Sequence, residues 1–182
     1  SKHIFDSWIK RNSLIDKVVG LKYFNVYGPN EYHKGEMRSV VHKAFEQVRD
    51  TGKVRLFKSY RSEFKDGEQK RDFIYVKDAV DMTLYFLDHQ DKNGIFNIGT
   101  GHAQTWVELV KALFDAVGKP VNIEFIDMPE EIREKYQYFT EANLKKLRNA
   151  GYDKTILNVR EGVTDYVKNY LLKDIYLGMS KK

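Results

Sequence analysis

The sequence contains no cysteine, and only 3 prolines and 12 glycines among its 182 residues. Without cysteine it can form neither disulfides nor thiolate metal sites. Its five histidines are scattered, with no pair at i, i+4, so they offer no metal-ligand spacing either. So little proline and glycine excludes a collagen-like or linker-like chain. No apolar run approaches the roughly 20 residues that span a bilayer, and no signal-peptide core is present. The Gly-Xaa-Ser-Xaa-Gly elbow of one hydrolase class is missing. The Gly-Xaa-Gly-Xaa-Xaa-Gly turn of dinucleotide sites is missing too. Gly99-Thr100-Gly101 lacks that spacing and reads as a tight strand-to-loop turn.

What is present points to a folded chain. Hydrophobic residues make up 42% and aromatics 14%, too much apolar surface for a disordered segment. The formal net charge is +5, but the 31 basic residues are interleaved with 26 acids along the whole length. A nucleic-acid binder concentrates its cations on one face. Here a solvated mixed surface is the simpler reading, although a few Lys and Arg suffice for a small phosphorylated ligand.

Apolar periodicity alternates between two repeats, which predicts an α/β fold. The first ten residues read as a helix already under way, with Ile4, Phe5, Trp8 and Ile9 on one inward face and no initiator Met, so the chain looks cut rather than begun. Lys17–Phe24 reads as a strand and Asn25–Gly35 as turn chemistry. A helix follows with Val40, Val41, Ala44, Phe45 and Val48 inward, stopped at Thr51-Gly52. Strands are expected over 54–57, 72–76, 94–99 and 121–126. The helix over 78–87 should turn Val80, Leu84 and Leu87 inward. Thr105 and Glu108 form a capping box for a helix to Val117. Thr140 is expected to cap a helix through Ala150, and Asn158 or Val159 opens the last one, to about Leu172.

Three segments carry residue types suited to chemistry. Phe24-Asn25-Val26-Tyr27-Gly28-Pro29 follows a strand, where open α/β sheets bind ligands. Asn25 is either a ligand contact or the start of a turn. In His33-Lys34-Gly35, Lys34 is either a surface charge or a group that exchanges protons in a dry pocket. Arg71, where a polar loop enters a strand, is either a phosphate ligand or a partner of Asp72.

Taken together, Tyr23–Pro29, Lys70–Asp78 and Phe96–Gly101 resemble the extended short-chain dehydrogenase/reductase family of nucleotide-sugar enzymes. Asn30–Met37, Tyr136–Thr140 and Leu147–Tyr152 are similar to the ADP-L-glycero-D-manno-heptose 6-epimerase branch of that family. The likeness runs from Ser1 to about Tyr170.

The resemblance implies an enzyme that inverts C6 of an ADP-heptose by transient NADP-dependent oxidation and reduction. It would supply heptose for the lipopolysaccharide inner core, in the cytoplasm, as a homo-oligomer (a pentamer in the family), with no nucleic-acid or membrane partner. Ser1-Lys2 resembles the end of the family's Tyr-Xaa-Xaa-Ser-Lys stretch, which makes Lys2 the lysine at the nicotinamide ribose and leaves the tyrosine outside this sequence. Lys34 matches the second acid/base, and Val26 and Lys34 would also meet the cofactor. Asn25, Phe57, Lys58, Ser59, Tyr60, Arg71 and Tyr136 match substrate contacts. Glu36 stands where a serine contact is usual and Lys43 where a histidine is, so a related heptose or hexose is admitted. Residues 1–27 would be a remnant of the NADP-binding domain and 28–182 mainly the substrate-binding domain, with about 72–101 returning to the first sheet. The chain alone would then be inactive. The rival readings are another NAD(P)-dependent nucleotide-sugar epimerase or dehydratase, and a non-catalytic nucleotide- or polyanion-binding module.

Overall fold

A computed structural model describes residues 2–179; Ser1, read above with Lys2, lies outside the described residues. In chain order the elements are α1 (Lys2–Arg11), β1 (Val19–Tyr23), β2 (Asn25–Tyr27), α2 (Val40–Thr51), β3 (Val54–Phe57), β4 (Lys70–Arg71), β5 (Phe73–Tyr75) and α3 (Val76–Asp88). They continue with β6 (Gly94–Ile98), β7 (Gln104–Thr105), α4 (Trp106–Val117), β8 (Ile123–Ile126), α5 (Glu130–Arg133), α6 (Lys145–Asn149) and α7 (Val159–Tyr166). A wider turn over Val167–Leu171 extends α7. The class is α/β, as the alternating periods predict. None of the described helices is long and apolar enough to cross a membrane.

Three strand pairs are parallel, β1 with β6, β2 with β5 and β3 with β8, while β4 and β7 are antiparallel. The run from Val19 to Tyr27 changes partner midway. Phe24 still donates its N–H to Ile98 O at 2.9 Å, and Asn25 already donates to Asp72 O at 3.0 Å. A chain that switches partner opens a crevice beyond the strand ends, and Asn25 stands at that switch.

Successive side chains of a strand point to opposite faces, and β5 uses both. Phe73 and Tyr75 enter a large core formed with α2, β3, α4 and α7, while Ile74 enters a smaller one with Ala79, Met82, Phe86, Phe96, Ile98, Leu147 and Tyr152. The capping boxes form as expected at Thr105–Glu108 and also at Asn158–Glu161.

Three expectations are corrected. Helix α3 carries two apolar stripes, and the one it buries is Ala79, Met82 and Phe86. Val80, Leu84 and Leu87 face outward, because β5 and the small core lie on the other side. Helix α1 forms, but only Ile9 of its apolar face is buried; Ile4, Phe5 and Trp8 meet no core among the described residues. Thr140 caps no helix. Residues 139–142 are extended and spent on long-range bonds, Thr140 N to Lys70 O at 3.2 Å and Ala142 N to Asp72 Oδ2 at 3.0 Å, so α6 starts only at Lys145.

Candidate active site

Asp72 builds the frame. Its fully buried carboxylate accepts four hydrogen bonds, from Thr100 N (2.7 Å), Thr100 Oγ1 (2.8 Å), Gly101 N (2.9 Å) and Ala142 N (3.0 Å). A carboxylate taken out of water needs its lone pairs filled in this way. The turn after β6 is therefore tied to the entry of β5. Gly99 is required there by close approach, since a Cβ would lie 2.5 Å from Ala142 Cβ and 2.9 Å from Asp72 Oδ2. The Gly99-Thr100-Gly101 turn is thus structural, and Asp72 is not the partner of Arg71.

Arg71 is buried, only 8% exposed, yet it makes no ion pair with a carboxylate among the described residues. One of its five N–H donors reaches Lys70 O at 2.8 Å, which leaves the others for solvent or a ligand. Its guanidinium carbon lies 5.2 Å from the Tyr136 ring centre and 6.0 Å from that of Trp106. Burial holds its pKa below the usual arginine value. Burial also raises the Tyr136 phenol, an effect that the charge of Arg71 opposes. Trp106 Nε1 donates to Tyr136 Oη at 3.1 Å, so the two rings are fixed as a pair.

Trp106 and Tyr136 line a cleft of about 440 Å³ together with Phe57, Ile126, Arg55 and Val40. Phe57 meets the Tyr136 ring edge-on at 6.4 Å. Val40 and Trp106 also border a smaller cavity of about 70 Å³, which Asn25 and Val26 line from the strand switch. The cleft is mostly apolar, with Arg55 in its lining and the buried Arg71 guanidinium against two of the rings that line it.

The remaining expected site residues lie elsewhere. Lys58 Nζ and Tyr60 Oη both bond Asp127 Oδ1 at 3.1 Å, and Ser59 Oγ donates to Arg61 O at 2.9 Å. Lys58 and Tyr60 bind the loop to the segment after β8, Ser59 bonds within the loop, and none of the three lines the cleft. Lys43 pairs with Glu36 at 3.1 Å on the surface. Lys34 is exposed on the connection between β2 and α2, which ends at Val40 on the cleft wall. Lys2 is exposed on α1 beside a separate groove of about 670 Å³ with Phe5, Asp6 and Gly20–Tyr23. Phe57 and Tyr136 thus line the cleft, Asn25 and Val26 line the adjoining small cavity, and Arg71 lies against the Trp106 and Tyr136 rings without lining either.

Residues 1–99 match the NAD dependent epimerase/dehydratase family. The chain belongs to that family. Curated relatives agree in kind with this epimerase/dehydratase assignment. The ADP-L-glycero-D-manno-heptose-6-epimerase of Nitratidesulfovibrio vulgaris is 52% identical over 171 residues, covering 94% of this chain and 53% of the relative. That of Fusobacterium nucleatum is 49% identical over 185 residues, covering 97% and 56%. This chain thus spans about half the length of the curated relatives it matches. Among solved epimerases, the Helicobacter pylori ADP-L-glycero-D-manno-heptose-6-epimerase has a TM-score of 0.72 at 28% identity, covering 90% of this chain and 48% of that one. A UDP-N-acetylglucosamine 4-epimerase from Methanobrevibacter ruminantium has a TM-score of 0.73 at 21% identity, over 96% and 51%, a likeness of fold.

Sequence reasoning missed Trp106, taken only as the first residue of a capped helix, and the burial of Asp72 and Glu31. The signal for Trp106 was an aromatic placed directly between a two-residue strand and a helix. Nothing local marked Glu31.

Proposed function

We propose that this chain is the C-terminal, mainly substrate-binding portion of an ADP-L-glycero-D-manno-heptose 6-epimerase. It would invert C6 by transient oxidation and reduction, in a cytoplasmic homo-oligomer that serves lipopolysaccharide inner-core assembly. In this reading residues 1–27 and about 72–101 complete a nucleotide-binding sheet, which the parallel pairing of β1 with β6 supports. The observation that carries the proposal is Arg71, a buried guanidinium with no carboxylate partner among the described residues, lying against the Trp106 and Tyr136 rings that line the cleft. Planar bidentate donors match the oxygens of a diphosphate.

Inversion at a carbinol carbon needs proton handling on both faces of the carbon, and one acid/base group cannot reach both. Lys34 serves one face. The other belongs to a tyrosine preceding this sequence, which Lys2 would hold toward its ionised form by its charge. Asn25 offers a donor and an acceptor to the sugar at the strand switch. The fit to NADP is partial: exposed Lys2 and the strand position of Val26 suit the nicotinamide-ribose end, while no glycine-rich turn here receives a pyrophosphate. When bound, NADP would supply the acceptor and donor of hydride.

Calorimetry of the full-length protein with ADP-heptose tests this. A hydrogen bond to a charged group contributes about 1.5–3 kcal/mol, so Arg71→Ala should weaken binding at least about tenfold. An unchanged affinity would remove the diphosphate from Arg71. Lys34→Ala should abolish 6-epimerisation; retained turnover with a 4-keto or 4-epimer product would instead identify another nucleotide-sugar enzyme.

A further inference from the structure

The connection that carries Lys34 is tied shut at its base by a residue to which nothing above assigns a role. Glu31 is buried, only 4% exposed, and forms no ion pair among the described residues. Its Oε2 accepts the backbone N–H of Ser39 at 2.7 Å, and its Oε1 accepts Ser39 Oγ at 2.6 Å and Tyr166 Oη at 2.9 Å. Ser39 is the N-cap of α2, with its Oγ accepting from His42 N. Residues 31 and 39, the two ends of the connection, are therefore joined through one carboxylate, and Tyr166 anchors that joint to α7.

Between these ends, residues 33–37 are exposed and Met37 is 87% exposed. Gly35 turns the chain at φ 53°, ψ −128°, in open space. Arg38 stiffens this turn, with Nε donating to Gly35 O at 2.8 Å. Next to the joint, Asn30 Oδ1 accepts Leu177 N at 2.8 Å and the Tyr32 ring lies tilted against Tyr176 at 4.8 Å. The tip carrying Lys34 is exposed and, among the described residues, held to α2 only by the Glu36–Lys43 and Arg38–Glu46 ion pairs, so its location depends largely on what holds the base. Burying a carboxyl group is costly unless its oxygens are hydrogen-bonded. Packing alone would have used an apolar residue at position 31.

We propose that Glu31 is the positioning residue of Lys34: by closing the 31–39 connection it fixes where the lysine ammonium lies relative to the sugar. This rests on the reading of Lys34 as an acid/base group. A small misplacement of such a group can cost on the order of 100-fold in rate without touching ground-state binding.

The test uses the full-length protein with Glu31→Ala, Ser39→Ala and Lys34→Ala, read by amide hydrogen exchange and by kcat and KM for ADP-heptose. In Glu31→Ala, exchange over residues 32–39 should quicken at least about tenfold while that of β6 stays unchanged. Its kcat should fall at least about tenfold with KM within about twofold. Ser39→Ala, which keeps the backbone bond to Glu31, should move both readouts the same way by less. If Glu31→Ala does not fold, Ser39→Ala carries the test alone, and an unchanged exchange rate or kcat there overturns the proposal. A loosened connection with full kcat, alongside an inactive Lys34→Ala, overturns the role of Glu31 and leaves Lys34 in place. Full activity of Lys34→Ala overturns the reading of Lys34 itself, and the role of Glu31 with it.

Discussion

His42 is a residue whose titration near neutral pH the fold alters. Its ring lies on α2 with Nδ1 3.0 Å from Tyr166 Oη, Nε2 3.6 Å from Glu46 Oε1 and the Tyr32 ring edge-on at 5.0 Å. Burial lowers its pKa below 6.5; Glu31 and Glu46 pull it up, and Arg38 and Arg49 push it down. Between the unfolded value and the lower folded one, the unfolded chain binds more protons. Stability therefore rises with pH through this window, is complete above about pH 6.5, and is lost as pH falls through the folded value. The melting temperature of the full-length protein should drop between pH 7.5 and 5.5, and His42→Gln should flatten that drop. A His42→Gln profile parallel to the wild type would assign the dependence to other groups.

At the scale of the element, α4 shows a local signal acting at full strength. Thr105 Oγ1 accepts Glu108 N at 3.0 Å and Thr105 N donates to Glu108 Oε2 at 2.7 Å, while Leu109, Val110, Leu113 and Phe114 are wholly buried behind it. Packing will hold the helix when the cap is lost, so Thr105→Ala should cost about 1 kcal/mol, measured as a shift of the urea midpoint at constant slope. A shift equivalent to more than about 3 kcal/mol would mean that the cap organises more than its own helix. The elements legible in the sequence were of this kind: α4 announces its cap, buried face and stop within a dozen residues, and α2 its stop and, apart from the exposed Val40, its buried face. Helix α3 was read on the wrong face because its two apolar stripes are equally regular, and only the position of β5 chooses between them. The segment at 139–142 was misread because Lys70 and Asp72, far away in sequence, claim its backbone. The candidate site divides in the same way. Arg71 and Asn25 stood out by type and setting, and Tyr136 only through the family resemblance. Trp106 and Asp72 act through partners 28 to 70 positions distant, and Glu31 is anchored by Tyr166, 135 positions away, which no local pattern reveals.

Across the whole molecule, two apolar surfaces have nothing on them among the described residues. Ile4, Phe5 and Trp8 on α1 are 72%, 61% and 51% exposed, and Val80, Leu84 and Leu87 form a regular outward stripe on α3. Exposed apolar groups arranged in patches, unlike scattered ones, mark surfaces meant to be covered. The chain spans about half the length of its curated relatives, and its sequence holds no glycine-rich turn for a pyrophosphate. Both facts bear on the 182-residue polypeptide taken by itself. It should bind a hydrophobic dye such as ANS strongly and scatter light as a self-associating species, whereas the full-length protein should do neither. It should also show no turnover of ADP-heptose at any NADP concentration, because the proposed reaction needs a bound hydride acceptor beside Lys34 and Arg71, and this sequence holds no glycine-rich turn to receive one. A monomeric, dye-silent polypeptide would show that these faces are ordinary surface, and measurable epimerisation by it would show that the residues described here suffice for the whole reaction.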